Sequence, residues 1–173
     1  MRWLVDGYNV IRRAPELTSR ERESLEAGRQ ALCMLLVEVA RRSDDTFTVV
    51  FDGVQGGGRA GGGSGVTVIF SSARESADHV LSRMAREGGA VVSNDREVRR
   101  AAKRAGAVVV TTDEFLSRLD KVGVARPETP ADEKDGDEAP SGPRKGNPRR
   151  LSKKDRATRR ALGRLNPDRR FPS

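Results

Sequence analysis

One device, repeated four times, limits what this chain can become: a short apolar run that ends on an acid. Trp3-Leu4-Val5 runs into Asp6-Gly7-Tyr8-Asn9, and Val49-Val50-Phe51 runs into Asp52-Gly53. Ala90-Val91-Val92 runs into Ser93-Asn94-Asp95, and Val108-Val109-Val110 into Thr111-Thr112-Asp113. Short runs of this kind, rich in valine, read as strands buried on both faces. Val66-Thr67-Val68-Ile69-Phe70 adds a further strand. Strands alternating with helical stretches predict a three-layer α/β domain with a mainly parallel five-stranded sheet, ending near residue 122. Parallel strands finish on one edge, so the acids at their ends are expected to converge where open α/β sheets keep their sites.

The helical stretches follow from spacing. Pro15 and Thr18-Ser19-Arg20-Glu21 are expected to open a helix that carries Leu25, Leu32, Leu36 and Val39 on one side. Ala77, Val80, Leu81 and Met84 form the stripe of a second, with Glu75 and Asp78 sharing a face near its start. A third packs through Val98, Ala101, Ala102 and Ala105 and turns Arg96, Arg99, Arg100, Lys103 and Arg104 outward; Phe115, Leu116 and Leu119 mark a fourth. Eight of the thirteen residues 53–65 are glycine. A nucleotide-cradling loop would end in Gly-Lys-Ser/Thr and lead into a helix; neither feature is present, so a flexible loop is expected.

Charge divides the chain. Residues 1–125 carry 19 basic and 17 acidic side chains, 126–143 carry 2 and 6, and 144–173 carry 12 and 2, so the last thirty residues, at net +10, hold nearly all of the basic excess of a chain whose net charge is +8. The expected organisation is a domain over 1–122, a Pro/Gly/acidic linker over 123–146 and a disordered or partner-ordered basic tail over 147–173. A short basic helix over 151–165, with Leu151, Leu162 and Leu165 on one side, would form against a partner. Such a tail is an electrostatic footprint for polyanions, nucleic acid above all. Cys33 is the only cysteine, which excludes a disulfide framework and fits a reducing, cytoplasmic setting. No stretch approaches the roughly 20 apolar residues of a membrane span, and neither a leader nor a membrane partner is expected.

The chemical content lies in Asp6, Asp52, Asp78 and Asp95, with Glu75 beside them. Gathered without a counter-ion, these carboxylates would repel one another and raise each other's pKa, so such a cluster holds a divalent cation. All-oxygen ligands favour Mg²⁺ or Mn²⁺ over zinc, and a single histidine, His79, excludes a multi-histidine zinc site. A metal so held activates water and neutralises charge on a phosphoryl group during in-line attack. Each residue also has a plainer reading: Asp52-Gly53 as turn chemistry, Glu75 as a helix-dipole residue, Asp95 as a helix cap, and Tyr8 as packing rather than base stacking. An aspartyl-phosphate phosphatase would need a second Asp where Tyr8 stands.

Asp6-Gly7-Tyr8-Asn9-Val10-Ile11, Phe51-Asp52, Glu75-Ser76-Ala77-Asp78 and Ser93-Asn94-Asp95 resemble, in order and spacing, the motifs of the YacP-like NYN domains, a branch of the PIN-like ribonucleases. The similarity covers about residues 2–120. It implies a PIN-like fold and Mg²⁺-dependent endonucleolytic cleavage of RNA, with mRNA at the ribosome as the target of characterised members. Carried over motif by motif, it implies Asp6, Asp78 and Asp95 as metal ligands, Asn9 and Glu75 as supporting residues, and Asp52 as a further member. Tyr8, Arg96, Arg99, Arg100 and Lys103 in the domain, and Arg149, Arg150, Lys153, Lys154, Arg159 and Arg160 in the tail, are the candidate RNA contacts. His79 stands where relatives often carry another acid, which keeps open the alternative of a non-catalytic RNA- or ribosome-binding module.

Overall fold

The structure, a computed structural model, describes residues 1–53, 58–121 and 152–165. The expected linker, Arg149, Arg150 and Leu151 lie outside the described residues. Strand β1 (Arg2–Asp6) is central, with β2 (Thr46–Phe51) on one side and β5 (Ala90–Val92) on the other. Outside these lie β4 (Val66–Phe70) and β6 (Val108–Val110), and all five run parallel. A sixth strand, β3 (Gly58–Gly61), pairs antiparallel with β4, giving the order β3-β4-β2-β1-β5-β6. The five expected strands are therefore present, and the flexible-loop reading of the glycine stretch is corrected over this part. With β4 exposing an open row of backbone groups, even a glycine segment gains a ladder of hydrogen bonds by lying beside it.

Alternation along the strands builds two cores. Trp3, Val5, Phe47, Val49, Phe51, Val92 and Val110 point to one face; Leu4, Val50, Val91 and Val109 point to the other. The first face is covered by α1 (Gly7–Ile11), α2 (Pro15–Glu23), α3 (Leu25–Arg42) and α6 (Thr112–Lys121), the second by α4 (Ala77–Ala85) and α5 (Arg96–Arg104). The single helix expected after Pro15 is divided. Ser24 leaves helical geometry and accepts from the Ala27 amide, so it caps α3, while Thr18 sits inside α2 and donates to the Ile11 carbonyl. Leu25, at the start of α3, is exposed rather than buried.

The basic helix anticipated near the C-terminus is α7 (Lys153–Arg164), and it lies on the domain itself. Ala161 and Leu165 are buried in the core beside Phe115 and Leu119; Thr158 donates to the Val109 carbonyl at 3.2 Å, and Arg118 to the Leu162 carbonyl at 2.8 Å. The helix thereby covers the open edge of β6, a place where an unprotected strand invites pairing with another chain. No helix among the described residues is long and apolar enough to cross a membrane.

Gly7 sets how closely α1 approaches the sheet. A Cβ there would lie 2.2 Å from the Phe51 ring. Gly7→Ala is expected to destabilise the fold by about 2 kcal/mol through overpacking, read as a lower denaturant midpoint.

Candidate active site

Strand order reverses at β1: the chain winds outward through β2 and β4, then returns to β5 on the other side. The crevice above this switch point is where an open α/β sheet places its ligands. Asp6 ends β1 there and caps α1, accepting from the Asn9 amide at 3.2 Å and from the Ser93 hydroxyl at 2.9 Å. Ser93, fully buried at the end of β5, also accepts from the Asp95 amide at 3.0 Å, so one hydroxyl fixes both acids. Asp95 caps α5 with a single oxygen, Oδ1, which accepts from the Glu97 and Val98 amides. The Asn9 side-chain oxygen, Oδ1, accepts from the buried Thr112 hydroxyl at 3.1 Å and the Asn94 backbone amide at 3.3 Å. Asn9 thus ties the ends of β1, β5 and β6 together.

Asp52, past the end of β2, accepts at Oδ1 from the Ser71 hydroxyl and the Ala77 amide, both at 3.0 Å. It locks the start of α4 and with it Asp78, which lies in the first turn of that helix and is exposed. Asp6 has its pKa raised, first by burial and then by the carboxylates of Asp78 and Asp52, against the lowering effect of the Ser93 and Asn9 hydrogen bonds. Asp78 is raised as well, by partial loss of water and then by Asp95, Asp52 and Glu97, with His79 opposing. Asp6 therefore senses Asp78 and Asp52, and Asp78 senses Asp95 and Asp52, across the crevice.

Two acids are directed elsewhere. Glu75 precedes α4 rather than standing on it, because Ser76 takes the capping position. Its carboxylate makes a two-pronged pair with Arg83 at 3.0 and 3.1 Å, which holds its pKa below the ordinary range. Asp113 is held by Asn94 and Arg13, and its pKa is lowered accordingly. Tyr8 packs edge-on against Phe51, and its hydroxyl accepts from Arg29, whose guanidinium also lies 5.2 Å from the Phe70 ring centre. That arrangement is a packed aromatic corner rather than an open stacking platform. Arg96, Arg99, Arg100 and Lys103 lie along α5, which begins at Asp95, and Lys153, Lys154, Arg159 and Arg160 lie on α7.

Among the described residues, no three His, Cys, Asp or Glu side chains close on a point from which one ion could be held. The donor set itself is all oxygen and like-charged, with Asp6 and Asp78 raised in pKa, which is the chemistry that suits a hard divalent cation. Among the described residues the Asp78 carboxylate accepts no hydrogen bond, and the carboxylates of Asp52 and Asp95 each use one oxygen only. Ser93, Ser71 and Thr112 are the positioning residues that the acids alone did not announce; the hydroxyl-rich strand ends Ser71-Ser72, Ser93-Asn94-Asp95 and Thr111-Thr112 were their signal. Ser93→Ala is expected to raise the Asp6 pKa further by removing a hydrogen bond that lowers it, and an NMR titration of the Asp6 carboxyl checks this.

The sequence profile of the YacP-like NYN domain matches residues 3–158, a span that reaches into α7. Two crystal structures of Rae1 (YacP) from Bacillus subtilis are similar in fold. One of them, a point mutant, has a TM-score of 0.60 at 26% identity, covering 70% of this chain and 75% of that one. The other has a TM-score of 0.57 at 25% identity, covering 70% and 74%. No curated protein matches. With the profile spanning nine-tenths of the sequence and the motif residues standing at the switch point, the chain belongs to the YacP-like NYN domain family.

Proposed function

We propose that this protein is a metal-dependent endoribonuclease that acts in the cytoplasm, with mRNA engaged by the ribosome as its substrate. Family membership makes RNA the substrate class. The observation that carries the reading is the group of mutually repelling carboxylates at the switch point, Asp6 and Asp78 above all, with raised pKa values. Asp6, Asp78 and Asp95 would hold Mg²⁺ or Mn²⁺, and the bound metal would supply an activated water and offset charge on the scissile phosphate. The residues of the chain prepare that site. Asn9 and Ser93 hold Asp6 in one orientation, and Ser71 and the Ala77 amide hold Asp52. The cations of α5 extend away from Asp95, where they would take neighbouring phosphates.

A second reading is a non-catalytic RNA- or ribosome-binding module, favoured by the spacing of the acids and by His79 at the family's further acid position. Calorimetric titration with Mn²⁺ separates the two. Saturable uptake by the wild-type protein that Asp78→Asn weakens supports the enzyme; no specific uptake by either supports the binding module.

A further inference from the structure

The cations of α5 and α7 meet at the end of the domain opposite the acids. Lys103, in the last turn of α5, faces Lys153 and Lys154, which open α7. Between them is a cleft of about 430 Å³ floored by Val109, Ala157 and Thr158. At 1.5 Å per residue, the nine residues of α5 place it about 13 Å from Asp95. Among the described residues none of the three lysines has a carboxylate partner, nor do Arg96, Arg99 and Arg100 along the way; Arg99 Nε is buried without any partner. Lys103 and Lys154 are close enough that the charge of Lys154 depresses the pKa of Lys103. This crowding is imposed by docking, since Thr158, Ala161 and Leu165 fix α7 on the β6 edge. Folding thus brings unpaired like charges together around an open space, an arrangement that an anion relieves.

We infer that this cleft binds the phosphodiester backbone of RNA and that bound RNA clamps α7 onto the domain. The inference rests on RNA being the substrate. A ligand that needs Lys103 from α5 and Lys153 and Lys154 from α7 binds only the docked arrangement, and so stabilises it. The row of α5 cations then gives one strand a continuous path from the carboxylates to the cleft.

The test follows amide hydrogen exchange of residues 153–165 in the full chain carrying Asp6→Asn, so that cleavage plays no part. The protein is studied alone, with a short single-stranded RNA, and with inorganic phosphate at matched phosphate concentration. RNA should slow exchange in α7 and inorganic phosphate should not. In a Lys103→Ala/Lys154→Ala variant the response should vanish, and the slope of log affinity against log salt should flatten by about 0.7 for each phosphate no longer neutralised. Lys103→Glu, which sets a carboxylate beside Lys154, should slow α7 exchange without RNA. Equal slowing by inorganic phosphate would make the cleft a site for free anions and overturn the inference. RNA binding with unchanged α7 exchange, or with an unchanged salt slope in the double variant, would overturn it as well. A wild-type protein that fails to cut RNA defeats the proposed activity but leaves these exchange results standing.

Discussion

Asp6→Asn is expected to lower RNA cleavage about a thousandfold or more while leaving the protein folded and no less stable at neutral pH. On the proposed function, Asp6 would be a charged ligand whose cation would stabilise transition-state charge by several kcal/mol, each 1.36 kcal/mol being about tenfold in rate. The retained stability follows from the same crowding. Burial and the neighbouring Asp78 and Asp52 raise the folded pKa of Asp6, so its protonated form is favoured in the native state. A raised carboxyl contributes stability below its unfolded pKa, and that contribution is lost as pH rises through the folded value. Once ionised, the wild-type carboxylate has lost it and stands desolvated beside other acids, whereas asparagine carries no charge to desolvate. The amide oxygen can still accept from the Asn9 backbone, and the amide nitrogen faces the Ser93 hydroxyl. Melting curves at mildly acidic and neutral pH in the presence of a chelator, beside a cleavage assay, check both halves. A variant that cuts normally, or one that fails to fold, contradicts them.

Leu165→Ala is expected to cost about 3 kcal/mol. Leu165 is fully buried with Phe115, Leu119 and Val110, and truncating it leaves a cavity where α7 joins the core. The loss should appear first as faster amide exchange over 153–165, since α7 is tethered to α6 through residues 122–151 and can release before the sheet unfolds. The denaturant midpoint then falls, whereas Lys153→Ala, at an exposed position, leaves stability within about 0.5 kcal/mol of wild type. The tail thus has two roles that substitution separates: its apolar side completes the domain, and its basic side supplies charge.

The sheet was legible in the sequence because the information was local. Runs such as Trp3-Leu4-Val5 and Ala90-Val91-Val92 can bury both faces only inside a parallel sheet, and the acids that end them lie at one edge by topology. Asp6, Asp52 and Asp95 stand out for that reason, and Asp78 for its place at the start of a helix stripe. Partners distant in sequence were not legible. Glu75 was grouped with Asp78 by spacing, but a two-pronged bond to Arg83 holds it elsewhere. Tyr8 offered a ring for stacking, yet Arg29 from α3 and Phe51 from β2 occupy its surroundings. Strand β3 was hidden because glycine carries no strand propensity; the open edge of β4 supplies the reason to pair. The docking of α7 was hidden likewise, since its apolar residues are few and their partners lie on β6 and α6.

Whether carboxylates at the switch point hold a divalent cation that cuts RNA is decided by the cleavage rate of a labelled RNA as a function of Mn²⁺ or Mg²⁺, for the wild-type protein and for Asp78→Asn. The wild-type rate should saturate with metal and disappear with a chelator; in the variant it should fall steeply and need far more metal. Cleavage at the same rate in chelator, or a variant indistinguishable from wild type, would refute metal-dependent cleavage at these acids.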